Sequence, residues 1–97
     1  MMALAVGLLA GCATGAPALY APPPETATLA PGKDVEIAEA ICSSCHSLDY
    51  ITTQPPMGDG AKAFWTASVR KMQTAYGSDM SAEDAAKIVT YLAETYR

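Results

Sequence analysis

The sequence predicts an all-α domain of three short helices preceded by an extended arm. Three observations carry this. Apolar residues recur with helical spacing in three segments between Lys33 and Arg97. No segment alternates with period two, so no sheet is expected. A Pro-rich stretch stands before the first helix and has no helical pattern.

The first helix starts near Lys33-Asp34. Ala38, Ile41, Cys42 and Cys45 fall on one face, and Asp34, Glu36 and Glu39 place acidic charge in the early turns. It is expected to end around Cys45-His46. A loop follows from Ser47 to about Gly60, punctuated by Pro55, Pro56, Gly58 and Gly60. The second helix begins after Asp59-Gly60. Ala61, Phe64, Trp65, Ser68, Val69 and Met72 form its apolar face, and Gly77 is its expected stop. Ser81, with Asp84 three positions on, resembles a capping box and opens the third helix. Ala85, Ile88, Val89, Leu92 and Tyr96 line that helix.

Residues 1–18 read as an export signal. The run Ala3 to Ala10 is apolar and uncharged, too short to span a bilayer and of the length of a signal core. Leu9-Ala10-Gly11-Cys12 looks like a lipobox, in which cleavage precedes a cysteine that then carries lipid. The alternative is an ordinary signal cut near Ala16-Pro17-Ala18. No Lys or Arg precedes the run, so a true start a few codons upstream is an expectation here. Residues 19–32, with Pro22, Pro23, Pro24 and Pro31, read as an extended linker or wrapping arm, and 33–97 as the folded domain. The expected location is periplasmic, with a lipid on Cys12 as the one membrane contact.

The chain has 97 residues and a formal net charge of −4. A domain this small buries only about 60% of its unfolded surface and needs a staple. The acidic balance argues against nucleic-acid binding, which calls for a basic stripe. Of the three cysteines, Cys12 stands apart, and Cys42 and Cys45 form a close pair directly followed by the only histidine, His46.

Cys42-Ser43-Ser44-Cys45-His46 is a Cys-x-x-Cys-His motif, the attachment signature of c-type haem. Two cysteines three apart can reach the two vinyl groups of one porphyrin, and the next imidazole then faces the iron. A thiol–disulfide pair is the main alternative, but it usually follows a strand at a helix N-terminus, and no strand precedes Cys42. Zinc needs about four ligands, and no second pair or second histidine supplies them. A plain disulfide leaves His46 unexplained. Hence one covalent haem c is expected on Cys42, Cys45 and His46.

Met57, Met72 and Met80 are candidates for the second axial ligand. Met57 follows His46 by only 11 residues, a short path to the far haem face. Met80 directly precedes the third helix. Met72 shares an apolar face with Trp65 and Val69, and a haem is the largest apolar object that face could cover. Met72 is therefore the expected ligand, with Trp65 beside the cofactor. Phe64, Ile41, Val69 and Leu92 complete the expected shell.

With these residues in view, the chain resembles the small class I cytochromes c. The stretches are Cys42 to His46, Trp65-Thr66-Ala67-Ser68-Val69-Arg70-Lys71-Met72, and Ile88-Val89-Thr90-Tyr91-Leu92. From about Leu19 to Arg97 it is similar, more narrowly, to the cytochrome subunit of bacterial sulfite dehydrogenase. Ser47-Leu48-Asp49-Tyr50-Ile51 and Lys71-Met72 with Tyr76-Gly77 carry most of that likeness. The resemblance implies a class I cytochrome c-like fold around one haem, with Met72 as axial ligand. It also implies a periplasmic complex with a molybdenum-cofactor subunit that oxidises sulfite. Met80 departs from the pattern, standing where another apolar residue is typical.

The expected function is therefore electron transfer, with no bond chemistry of its own. Electrons would come from the molybdenum subunit and pass to a downstream cytochrome c or oxidase. The competing expectation is a stand-alone lipid-tethered shuttle serving other dehydrogenases or an oxidase.

Overall fold

The computed structural model describes Gly15 and residues 18–97. Cys12, the apolar run before it and both initial methionines lie outside the described residues. The described residues are all-α, with no strand among them. Helix α1 spans Val35–Cys42, α2 Asp49–Thr52, α3 Ala61–Thr74 and α4 Ala82–Thr95, with a 3-10 turn at Gly58–Gly60 before α3. No helix among the described residues is long and apolar enough to cross a membrane.

Two elements fall inside the segment expected to be a loop. Leu48 and Ile51 explain α2: both are buried in the core, and that packing holds a four-residue helix that would be marginal alone. Helix α1 stops at Cys42, three to four residues earlier than its periodicity implies. The Ser44 hydroxyl donates to the Ile41 carbonyl at 2.6 Å, and the Ser44 backbone N–H reaches the same carbonyl at 3.3 Å. That tight turn satisfies an end carbonyl and takes the chain out of helical geometry. At the other end Asp34 sits at φ 67°, a left-handed conformation that Asp tolerates better than most residues.

Helices α3 and α4 pack against each other, and α1 lies on α4. Trp65 on α3 and Ile88 and Leu92 on α4 are almost fully buried between them. Each such side chain contributes about 1.5–3 kcal/mol by leaving water. The Trp65 indole N–H donates to the Tyr96 carbonyl at 3.0 Å, so its polar edge is satisfied within the core. Gly77, at φ 70°, turns the chain after α3, where the Ser78 N–H returns to the Met72 carbonyl at 2.9 Å. Ser81 caps α4 as expected, its hydroxyl accepting from the Asp84 N–H at 3.0 Å.

The second half of the arm wraps the domain. Leu29 is buried in the core. The Ala30 carbonyl accepts from the Tyr91 hydroxyl at 2.6 Å, and the Ala30 N–H donates to the Tyr96 hydroxyl at 2.9 Å. Burial, and then the neighbouring Tyr96, push the Tyr91 phenol well above its ordinary range, so it stays a donor at every physiological pH. Further back, the Glu25 carboxylate accepts from the Ala27 N–H at 2.8 Å and the Leu48 N–H at 3.0 Å. Those backbone donors, with the Ser47 hydroxyl, hold its pKa below the ordinary 4.5.

Two outcomes follow. A Cβ at Gly32 would meet the Tyr91 ring at 2.9 Å, so Gly32→Ala should cost about 1–3 kcal/mol in thermal unfolding. Because the folded state depresses the Glu25 pKa, its contribution is complete above the ordinary value and fades as pH falls through the lower folded one. The Leu48 amide resonance should therefore titrate with a midpoint below 4.5. An amide unmoved through that range would contradict the docking of the arm.

Candidate functional site

The end of α1 and its turn carry the three residues of the motif to one place. Cys42 is the last residue of α1, and Cys45 and His46 follow in the turn. They line a cavity of about 610 Å³ that α3 and the segment after it complete. From that side come Ser68 and Met72 on α3 and Met80 just before α4. The volume lies within the range of small-molecule and cofactor sites, about 300–1,000 Å³.

His46 is exposed and oriented. Its Nδ1 lies 2.9 Å from the Ser47 carbonyl oxygen. A carbonyl can only accept, so Nδ1 carries the proton and the neutral ring keeps its lone pair on Nε2. The ring also stands edge-on to Tyr50, with centroids 5.6 Å apart. A histidine ligand is commonly prepared for a metal in this way, one nitrogen engaged by the protein and the other left to bind.

The two thiols differ. Cys42 is half-buried, and burial raises its pKa; Cys45 is exposed. Position adds to this, because the negative end of the α1 dipole disfavours a thiolate at a helix C-terminus. Activated thiols show the opposite pattern, a lowered pKa at a helix N-terminus or beside a cation. Nor does the site resemble a closed zinc centre. Among the described residues no three His, Cys, Asp or Glu side chains are grouped to share an ion.

Met72 and Met80 both line the cavity, whereas Met57 packs against the core outside it. The Gln73 amide donates to the Met80 carbonyl at 3.4 Å, linking the segment before α4 to α3. Of the expected shell, Ile41 lines the cavity. Phe64, Trp65, Val69 and Leu92 are not among its lining residues. Trp65 instead sits in the α3–α4 core with Phe64 edge-on to it at 4.9 Å. Thus Cys42, Cys45, His46 and Met72 converge, and Trp65 supports the helix that carries Met72.

Three lining side chains were not singled out by sequence for this role. Lys71 and Tyr76 both line the cavity, the Lys71 ammonium 5.9 Å from the centre of the Tyr76 ring, and Ser78 lies next to them. Lys71 follows Ser68 by three residues on α3, so its helical phase was a usable signal. Tyr76 and Ser78 depend on the turn at Gly77, which spacing alone does not orient.

The donor set suits a haem. Two thiols three apart, a histidine with Nε2 free and two thioethers surround a cavity of cofactor size. Comparison with protein-family models and with curated proteins returns no match to this chain.

The thiols provide a test on the protein without cofactor. Cys45 should be alkylated well before Cys42, as followed by mass spectrometry of the digested protein. Equal rates, or Cys42 first, would contradict the burial described here.

Proposed function

We propose that this chain is a mono-haem c-type cytochrome with a class I cytochrome c-like fold, and that it transfers electrons. The convergence of Cys42, Cys45, His46 and Met72 on one cavity supports the reading most directly. A raised, helix-C-terminal Cys42 thiol also counts against thiol–disulfide exchange as the site's purpose.

Cys42 and Cys45 would hold the group as thioethers, His46 would ligate its iron through Nε2, and Met72 would supply a thioether ligand. Bound haem supplies a one-electron couple, whose potential a thioether ligand raises. The chain's own residues set the conditions for it. Ile41 and Met80 give the cavity apolar lining, and the Ser47 carbonyl keeps the His46 proton on Nδ1. Tyr50 and Tyr76 are exposed aromatic residues at the cavity, suited to meeting a partner surface.

The proposed electron donor is a molybdenum-cofactor sulfite-oxidising subunit in the periplasm, and the acceptor a downstream cytochrome c or oxidase. The donor rests on the sequence resemblance of Ser47 to Ile51 and Lys71 to Gly77.

Expression with haem-attachment machinery in the periplasm should yield sharp α and β bands when reduced. The oxidised form should show a weak far-red band that Met72→Ala abolishes and Met80→Ala retains. Loss of the band only in Met80→Ala would move the axial role to Met80. A dedicated donor should co-purify in high salt, whereas a complex that dissolves steeply as salt rises would assign the chain to the shuttle role.

A further inference from the structure

We infer that Glu25, in the arm, is a positioning residue for His46 that acts through the Ser47–Leu48 peptide unit. The inference rests on the haem reading above. Two hydrogen bonds carry it. The His46 Nδ1–H donates to the Ser47 carbonyl at 2.9 Å, and the Leu48 N–H donates to Glu25 Oε2 at 3.0 Å. That carbonyl and that N–H belong to one peptide group, which is planar and conjugated. A carboxylate on the N–H side draws the amide dipole toward itself and makes the carbonyl oxygen a stronger acceptor. The carbonyl then pulls harder on the Nδ1 proton, and Nε2 becomes a stronger donor to a metal.

The carboxylate is itself held in place. Its other oxygen accepts from the Ala27 N–H at 2.8 Å. Leu48 is buried, so its N–H is fixed while Glu25 faces water. The arrangement matches the common carboxylate–histidine pairing at metal sites, with a peptide inserted between the two. A more basic His46 favours the oxidised metal, so Glu25 lowers the reduction potential. The arm is thereby part of the site and not only a strap across the core.

The test uses the haem-loaded full chain and three variants: Glu25→Gln, Glu25→Ala and Glu39→Gln. Glu39 accepts from the Leu29 N–H at 3.1 Å, so its variant removes the same charge and one arm contact without touching the His46 relay. Reduction potentials are measured at low and high salt, with the His46 Nδ1 proton followed by NMR. Glu25→Gln should raise the potential and Glu25→Ala should raise it further. Both shifts should persist in high salt, where Coulomb effects across water are screened. The Nδ1 proton should move upfield in both, and Glu39→Gln should leave potential and resonance near those of the parent. A Glu25→Ala potential that returns to the parent value in high salt would overturn the relay, as would an equal shift in Glu39→Gln. A parent chain that takes up no haem would overturn the functional reading itself, and the inference with it.

Discussion

Where α1 stops determines what the rest of the site can be. The Ile41 carbonyl is taken by the Ser44 hydroxyl and backbone, and the chain leaves the helix after Cys42. Cys42 stays anchored by the helix, Cys45 is released into a turn, and His46 follows it to the cavity. From there Leu48 and Ile51 pull the chain back into the core as α2. His46 is thus held between two anchored points, Cys42 four residues before it and Leu48 two residues after it. Such pre-orientation lowers the entropy lost when a ligand is engaged.

The same constraint explains why so small a chain carries a large cavity. Among the described residues ten apolar side chains form the buried core, and most lie between α3, α4 and α1. Ser68 and Met72 continue the α3 core face and line the cavity beside the motif. An apolar wall of this kind costs free energy while wetted, and a domain of this size has little to spare. A large apolar cofactor fixed by two covalent bonds would remove that cost. It would complete the packing that the chain does not complete alone.

Much of this was legible in the residues. The face Ala61, Trp65, Val69 with Met72 one turn on is set by helical phase, and phase survives folding. Ser81 and Asp84 gave α4 its start because a cap is a local interaction. What escaped the sequence depends on distant partners. Proline and glycine around residues 55–60 marked a loop, yet Leu48 and Ile51 fold α2 through tertiary burial. Tyr91 fell off the expected α4 stripe because its buried side serves the arm, through Ala30 and the close approach of Gly32. Trp65 was expected beside a cofactor, but its N–H finds the Tyr96 carbonyl and its ring the helix pair. Glu25 carried no local signal at all, since its partner Leu48 is 23 residues away.

Covalent attachment at the two cysteines is the central claim, and the mass of the denatured chain tests it most directly. After periplasmic expression with attachment machinery, the chain should carry the added mass of one haem that acid–solvent extraction does not remove. Cys42→Ala together with Cys45→Ala should lose it. A chain that folds with the same helical content but leaves extraction at its unmodified mass would contradict the account.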